Sequence, residues 1–307
     1  MRGRPDMDAD TLNELRLTLR RVFAAGADPS VVNKDLADLG WDDARHDDPA
    51  RTDVAFFEEQ GRALAASDVL NTSLCEALGV DVGTGVTIPV RARSGDLAIL
   101  LTDVIPEKLV VGDLRSAVFL TKSDIDPHDI GPHGIGLLDT TLGARRVVLR
   151  ADASGRPVDG AAWSAALTAA RRSLASELVG VGLEALALAI TYVSQRTQFG
   201  RPIGSFQAVR HRLAEAHVHL TAAQELVGAA WNSGDADDAC LAKAAAGRAA
   251  DHTMRTAMQV FGAIGLTWEH KLHGYVRRAA SLDALAGESG FLEERLGRRL
   301  VDGAITP

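Results

Sequence analysis

The hydrophobic period changes twice along the 307 residues, and no single residue constrains the fold as strongly as those changes do. From Ala161 onward, apolar side chains recur every three to four positions. Trp163, Leu167, Ala170, Leu174, Leu178, Val181, Ala185 and Leu188 share one face of a helix running towards Gln195. Gln207 to about Trp231 predicts a second helix and Asp237 to Phe261 a third. A fourth follows Trp268, and Gly290 to Val301 is a candidate fifth. The third is crowded with Ala239, Ala242, Ala245, Ala246, Ala249, Ala250 and Ala257, a surface that lets neighbouring helices approach closely.

Between Gly79 and about Asp152 the pattern is different. Short β-rich runs (Val86 to Val90, Leu97 to Thr102, Leu109 to Val111, Ala117 to Thr121, Gly136 to Leu138, Arg146 to Leu149) are separated by Gly, Pro and Asp turn signals. They predict a small sheet or open barrel, mostly antiparallel. Ahead of them the chain is again helical. Thr11 to Phe23 places Leu12, Leu15, Leu19 and Val22 on one face, and Asp53 to Ala66 and Ser67 to Leu78 read as two more helices. The Gly and Asp runs around Gly26 and from Asp42 to Pro49 read as connecting loops. Helices, then strands, then a bundle make an α+β chain without the βαβ alternation of a Rossmann sheet. The expected domains are residues 1–79 (helical, truncated), 80–155 (a reduced middle β-domain) and 156–307 (a four-helix-type bundle).

Alanine is abundant and only 5% of residues are aromatic, which suits packed helices better than a β-sandwich. A net charge of -8 argues against a general nucleic-acid binder, because a phosphate backbone needs a basic face, although a local basic patch could still hold a phosphorylated ligand. Cys75 and Cys240 stand far apart without CxxC spacing and read as reduced, buried thiols. The first residues lack a following apolar segment, and no stretch of about 18 uninterrupted apolar residues occurs. No signal peptide or membrane span is predicted, and cytoplasmic is the default expectation.

Two segments go beyond generic helix. One runs from Tyr192 through Arg196-Thr-Gln-Phe-Gly-Arg-Pro-Ile-Gly-Ser-Phe-Gln207, and the other from Gln259-Val-Phe-Gly-Ala-Ile-Gly265 to Arg277. In the first, Arg196 can fork onto a phosphate beside a Gly-containing turn. Gln198 and Gln207 offer amides, while Phe199 and Phe206 offer aromatic faces. In the second, Gly262 and Gly265 let backbone approach a ligand. Both segments, in this order and separation, resemble signatures of the acyl-CoA dehydrogenase family: R-x-x-FG-x-x-I-x-x-x-Q and Q-x-x-GG-x-G-(8 to 10)-R. The resemblance implies the family fold and FAD as cofactor. It also implies contacts from Arg196, Gln198, Phe199, Phe206, Gln207, Gln259 and Gly262 to the ADP part of an FAD held mainly by a neighbouring subunit. Ala263 departs from the usual second Gly, a change that backbone contacts survive if φ is negative.

The family's chemistry needs a base for the α-proton while the flavin takes the β-hydride. Register from Arg277 puts one base position at Ala286, and register from Arg196 puts the other at Ala170. Alanine cannot accept a proton, so no catalytic residue is assigned. Asp283, Glu288 and Glu177 are the nearby carboxylates. Arg171 resembles a family arginine facing the acyl-CoA site and is the expected substrate-binding residue. Residues 80–152 also lack the C-x-T-E-P-x-x-GSD-like and W-x-T/S segments that hold the flavin ring, and the chain is shorter than usual for the family.

Three readings follow. The chain is an accessory subunit of an α2β2 dehydrogenase, in the style of actinobacterial enzymes acting on CoA thioesters of steroid fragments. Alternatively, it is an active homo-oligomer with Glu288, Asp283 or Glu177 as displaced base, or an assembly protein that no longer binds FAD. The implied partners are a second acyl-CoA dehydrogenase-like chain and an acyl-CoA substrate, with electron-transfer flavoprotein among the acceptors the resemblance allows; no nucleic acid or membrane partner is expected. No metal site is predicted. His270 and His273 beside Glu269 have helical spacing but resemble a metal-free stretch of the family, while His217 and His219, two apart, do not share a helix face. His128 and His133 lie in an expected loop with no nearby thiol.

Overall fold

The computed structural model describes residues 7–25, 29–91, 97–102, 105–126, 139–267 and 270–305. The N-terminal zone contains α1 (Ala9–Ala25), α2 (Pro29–Asp38), α3 (Trp41–Asp47), α4 (Pro49–Ala63) and α5 (Val69–Leu78). The α1 face is the predicted one, with Leu19 and Val22 buried and Leu12 and Leu15 packed against the core. Flanking that face are Arg16, 2.6 Å from Glu58, and Arg20, whose guanidinium forks onto Glu59 at 2.7 and 2.9 Å. The stretch from Asp42 to Pro49, read above as a loop, is instead helix α3 followed at once by α4. Gly40 at φ 71 turns the chain between α2 and α3. Asp48 then caps α4 by accepting from the Arg51 amide at 3.2 Å, with Pro49 at the first helical position. An Asp-rich run is loop-like by composition, but Asp-Pro here is a helix start. Gly26 lies outside the described residues.

The middle zone holds two small sheets built from β1 (Gly85–Val86), β2 (Ile88–Val90), β3 (Leu97–Leu101), β4 (Lys108–Gly112), β5 (Ala117–Thr121), β6 (Ala144–Val147) and β7 (Arg156–Pro157). Their orders are β1-β4-β5-β7 and β2-β3-β6, and every pairing but β1–β4 is antiparallel. The run Val86 to Val90, expected as one strand, divides at Thr87. The Thr87 amide donates to Val110 O (2.9 Å) and its hydroxyl accepts from the Gly112 amide (3.2 Å). The chain therefore leaves one sheet for the other within a single residue. The strand expected at Gly136 to Leu138 lies outside the described residues.

The C-terminal zone opens with α6 (Gly160–Gln195), passes through a hairpin of β8 (Thr197–Gln198) and β9 (Arg201–Pro202), and continues as α7 (Gln207–Ser233), α8 (Ala236–Phe261), α9 (Leu272–Ala284) and α10 (Ser289–Val301). Helix α6 is long and apolar enough to cross a membrane, yet two-thirds of that apolar stretch (67%) is buried inside the protein. It is the core helix on which the other elements pack. Helix α4 crosses it at backbone contact. A Cβ on Gly180 would stand 2.0 Å from Glu58 O, and one on Gly61 would stand 2.3 Å from Glu177 O.

That close crossing places Gln60 beside Glu177, where Gln60 Nε2 donates to the carboxylate at 3.0 Å. Arg278, with a fully buried side chain, binds the other Glu177 oxygen at 2.7 Å and pairs with Asp139. Its remaining donors reach Ala65 O (2.8 Å), Leu64 O (2.9 Å) and Thr141 Oγ1 (3.1 Å). One guanidinium thus ties the N-terminal zone, the end of the middle zone and α6 to α9. Every donor of the fork is used, as a buried charge requires.

Candidate functional site

The two signature segments meet at one end of the bundle. Tyr192 in the last turn of α6 and Phe261 at the end of α8 have ring centroids 4.3 Å apart, and the His270 ring centroid also lies 4.3 Å from that of Phe261. Past α6 the chain folds back as the β8–β9 hairpin, pairing Thr197 with Pro202 and Gln198 with Arg201. Its two central residues, Phe199 (φ 52) and Gly200 (φ 79), both have positive φ, the signature of a type I′ turn. Such a conformation is strained for a phenylalanine, and Phe199 is also 91% exposed. An amide from Ile203 to Arg196 O (2.8 Å) closes the hairpin onto the end of α6. Gly204 packs there against Val193, whose backbone O would lie 3.1 Å from an added Cβ.

Of the residues expected to contact cofactor, Arg196, Gln198, Phe199, Gln207, Gln259 and Gly262 are exposed and Phe206 is half-buried. The side chains of Arg196, Gln198, Gln207 and Gln259 have no hydrogen-bond or ion-pair partner among the described residues, so their donors are available. Gly262 sits at φ 62, ψ -140, where an L side chain is rarely found although nothing lies within 4 Å of its would-be Cβ. Glycine is needed there for conformation, not for space. Ala263 is not among the positive-φ residues, so its amide keeps an ordinary orientation. A guanidinium fork, three free amides and the exposed Phe199 ring form a set that fits a dinucleotide diphosphate and base. Arg201 was not singled out from sequence. It stands opposite Gln198 in the hairpin and lies 4.2 Å over the Phe206 ring, adding a second cation to this end. A second arginine flanking the Phe-Gly turn was the available signal.

Both base positions are buried alanines: Ala170 is 1% exposed and Ala286 is fully buried at φ 57. The Ala286 amide donates to Pro89 O (2.8 Å), and its carbonyl accepts from Arg171 Nε (3.1 Å). Arg171 is therefore buried beneath this loop, with Nη2 lacking a hydrogen-bond partner, and burial pushes its pKa down. Lys243, also fully buried, donates to Asp283 O (3.0 Å) and Gly287 O (3.5 Å), and burial likewise lowers its pKa. Two buried cations hold the 283–287 loop from below.

The three nearby carboxylates differ. Glu177, weighed above as a displaced base, is buried, and both its oxygens are engaged, one by Arg278 and the other by Gln60. Asp283 and Glu288 both line a cavity of about 490 Å³ between α8, α9 and the start of α10. Asp283 there accepts from the Ser289 amide and hydroxyl at 3.2 and 3.3 Å and lies 3.7 Å from Lys243 Nζ. Of the histidines, His270 Nδ1 accepts from the Leu272 amide (3.1 Å) and His273 Nδ1 lies 2.6 Å from His270 O. Glu269, His128 and His133 lie outside the described residues.

Residues 160–301 match the C-terminal domain model of acyl-CoA dehydrogenases. Acyl-CoA dehydrogenase IpdE2 of Mycobacterium tuberculosis is 31% identical over 226 residues, covering 72% of this chain and 69% of IpdE2. Among solved structures, a variant of the Tcur3481-Tcur3483 steroid ACAD superposes with a TM-score of 0.75 at 21% identity, covering 97% of this chain and 99% of that one. The ChsE4-ChsE5 complex from Mycobacterium tuberculosis gives a TM-score of 0.74 at 21% identity, with 98% and 99% covered. These likenesses bear out the expected fold of N-terminal helices, reduced middle sheets and a C-terminal bundle. The chain belongs to the acyl-CoA dehydrogenase family.

Proposed function

We propose that this chain is the accessory subunit of an FAD-dependent acyl-CoA dehydrogenase, completing the cofactor site of a second, dehydrogenase-like chain in an α2β2 assembly. Arg196 would clasp the diphosphate, Gln198, Gln207 and Gln259 would bond the ADP portion, and Phe199 and Phe206 would pack on its rings. Gly262 would admit the backbone. FAD, when bound, supplies the hydride acceptor for α,β-dehydrogenation of an acyl-CoA thioester. This chain's part is to hold and orient it. In this reading residues 1–79, 80–155 and 156–307 are the three domains, and the complex works in the cytoplasm with electron-transfer flavoprotein as an acceptor.

One observation carries the proposal. The residues suited to an ADP moiety are exposed and unengaged at one end of the bundle, while both positions for a base are buried alanines. A subunit that performs the proton abstraction has the opposite requirement. Arg171, under the 283–287 loop, would set the shape of the acyl-CoA side from beneath. A steroid-derived thioester is the substrate class favoured by the likeness to the Tcur3481-Tcur3483 steroid ACAD.

Asp283 on the cavity wall favours a second reading, in which the chain is active by itself with a displaced base. Purification separates the two. A colourless chain that turns yellow and active only with a co-expressed dehydrogenase-length partner supports the accessory role. A yellow chain that acyl-CoA reduces without a partner overturns it. A chain that stays colourless with every partner leaves assembly as its only role and overturns it equally.

A further inference from the structure

We propose that Glu215, His219 and His252 form a binding site for a divalent transition metal of the zinc class on the seam between α7 and α8. Glu215 and His219 are one helical turn apart on α7 and so project from the same face. His252 comes from α8, which packs against that face, and its ring centroid is 4.8 Å from that of His219. One ligand atom from each of the three residues lies within 4.8 Å of the other two.

The strongest sign is at His252. Its Nε2 is buried yet has no hydrogen-bond partner, and it faces a Glu215 carboxylate oxygen 3.9 Å away. That gap is too long for a hydrogen bond, so a buried imidazole nitrogen and a carboxylate face each other without joining. An ion between them would satisfy both. Zinc bonds of about 2.0–2.1 Å hold tetrahedral ligands about 3.4 Å apart, so the triangle must close by roughly 1 Å. Glu215 and His219 are exposed and free to turn.

Ligand chemistry selects the metal class. Two imidazoles and one carboxylate suit zinc and its first-row neighbours, whereas calcium and magnesium prefer all-oxygen shells. Three protein ligands leave a fourth position for water or a group from another chain, so the ion would be exchangeable. Bound, it would staple α7 to α8, the two helices that flank the cofactor-facing end. The two-residue spacing of His217 and His219 conceals this site, because the partner of His219 lies on the next helix.

The test uses tag-free, full-length protein stripped with chelator, titrated with Zn²⁺ by calorimetry and with Co²⁺ by visible absorption. One equivalent of Zn²⁺ per chain and the intense bands of four-coordinate Co²⁺ are expected for wild type and for His217→Ala. The affinity should fall by about 100-fold or more in His219→Ala and in His252→Ala, and clearly in Glu215→Gln. Circular dichroism of each metal-free variant checks that its fold is retained. Equal Zn²⁺ affinity in wild type and His252→Ala overturns the proposal, as does a weak, six-coordinate Co²⁺ spectrum in wild type.

Discussion

The ring of Tyr192 lies 4.3 Å from that of Phe261, at an interplanar angle of 30°. This contact locks the end of α6 to the end of α8 and so holds Arg196 and Gln259 at a common edge of the bundle. Neither residue needs a partner within the chain to be positioned, because the packed helix ends beneath them do so.

Arg196→Ala in the co-expressed complex should therefore lower FAD occupancy without altering the fold. A charge-assisted bond to phosphate contributes about 1.5–3 kcal/mol, so FAD affinity should fall about tenfold or more. Arg196→Lys should restore only part of it, since a point charge lacks the fork. The ratio of flavin absorbance to protein reads this directly, and unchanged flavin content in Arg196→Ala would remove the role assigned to it.

Arg278→Met should destabilise the chain by about 3–5 kcal/mol, because it strands Glu177 and Asp139 as buried carboxylates. Urea unfolding followed by circular dichroism measures it. A loss under about 1 kcal/mol would mean that the carboxylates find other partners.

The same hub predicts an acid response. Burial opposes ionisation of Asp139, but the Arg278 guanidinium outweighs it and holds the carboxyl below the usual range. A depressed carboxyl adds stability above its unfolded pKa of about 3.9 and loses it as pH falls through the lower folded value. Arg278→Met removes the cation, and burial, which already pushes the Glu177 pKa up, then favours the protonated form of both carboxyls. The stability gap between wild type and variant should therefore narrow as pH falls below about 4. A gap in urea stability that stays constant from about pH 7 into acid counts against the pairing.

Gly180→Ala should cost about 1–3 kcal/mol or more, since its methyl would meet Glu58 O and force α4 off α6. Gly297, exposed on α10 with nothing within 4 Å of an added Cβ, is the control. Gly297→Ala should stabilise by about 0.5–1 kcal/mol through helix propensity. Thermal melts of the two variants should shift in opposite directions.

Burial pushes the Cys75 thiol up to about 11, and its Sγ donates to Thr84 O at 3.2 Å; burial raises Cys240 as well. At pH 8 both should resist a thiol reagent in the folded protein and react once urea unfolds it. Fast labelling of the native chain would show that one of these thiols is reached without unfolding.

The long amphipathic elements were legible in the sequence. The bundle helices fall within a few residues of their predicted ends, because a 3.6-residue period sustained over several turns has few alternatives. Short elements were less so. Helix α3 is only seven residues long, and its Asp and His content resembles a loop until the Asp48 cap is recognised. The break at Thr87 depends on a bond to Val110, which no local pattern reveals.

By itself the sequence determined the order of helices and strands, the family resemblance, and the residue types at the two motifs and the two alanine positions. All of these are local, carried by periodicity or by the presence or absence of an ionisable group. Tertiary structure alone decided that Arg278 joins three zones, that Glu177 is buried with both oxygens bonded, and that His252 completes a triangle with Glu215 and His219. Those facts depend on how helices distant in the chain come together, and that is set by packing at contacts such as Gly61 and Gly180, not by neighbours along the chain.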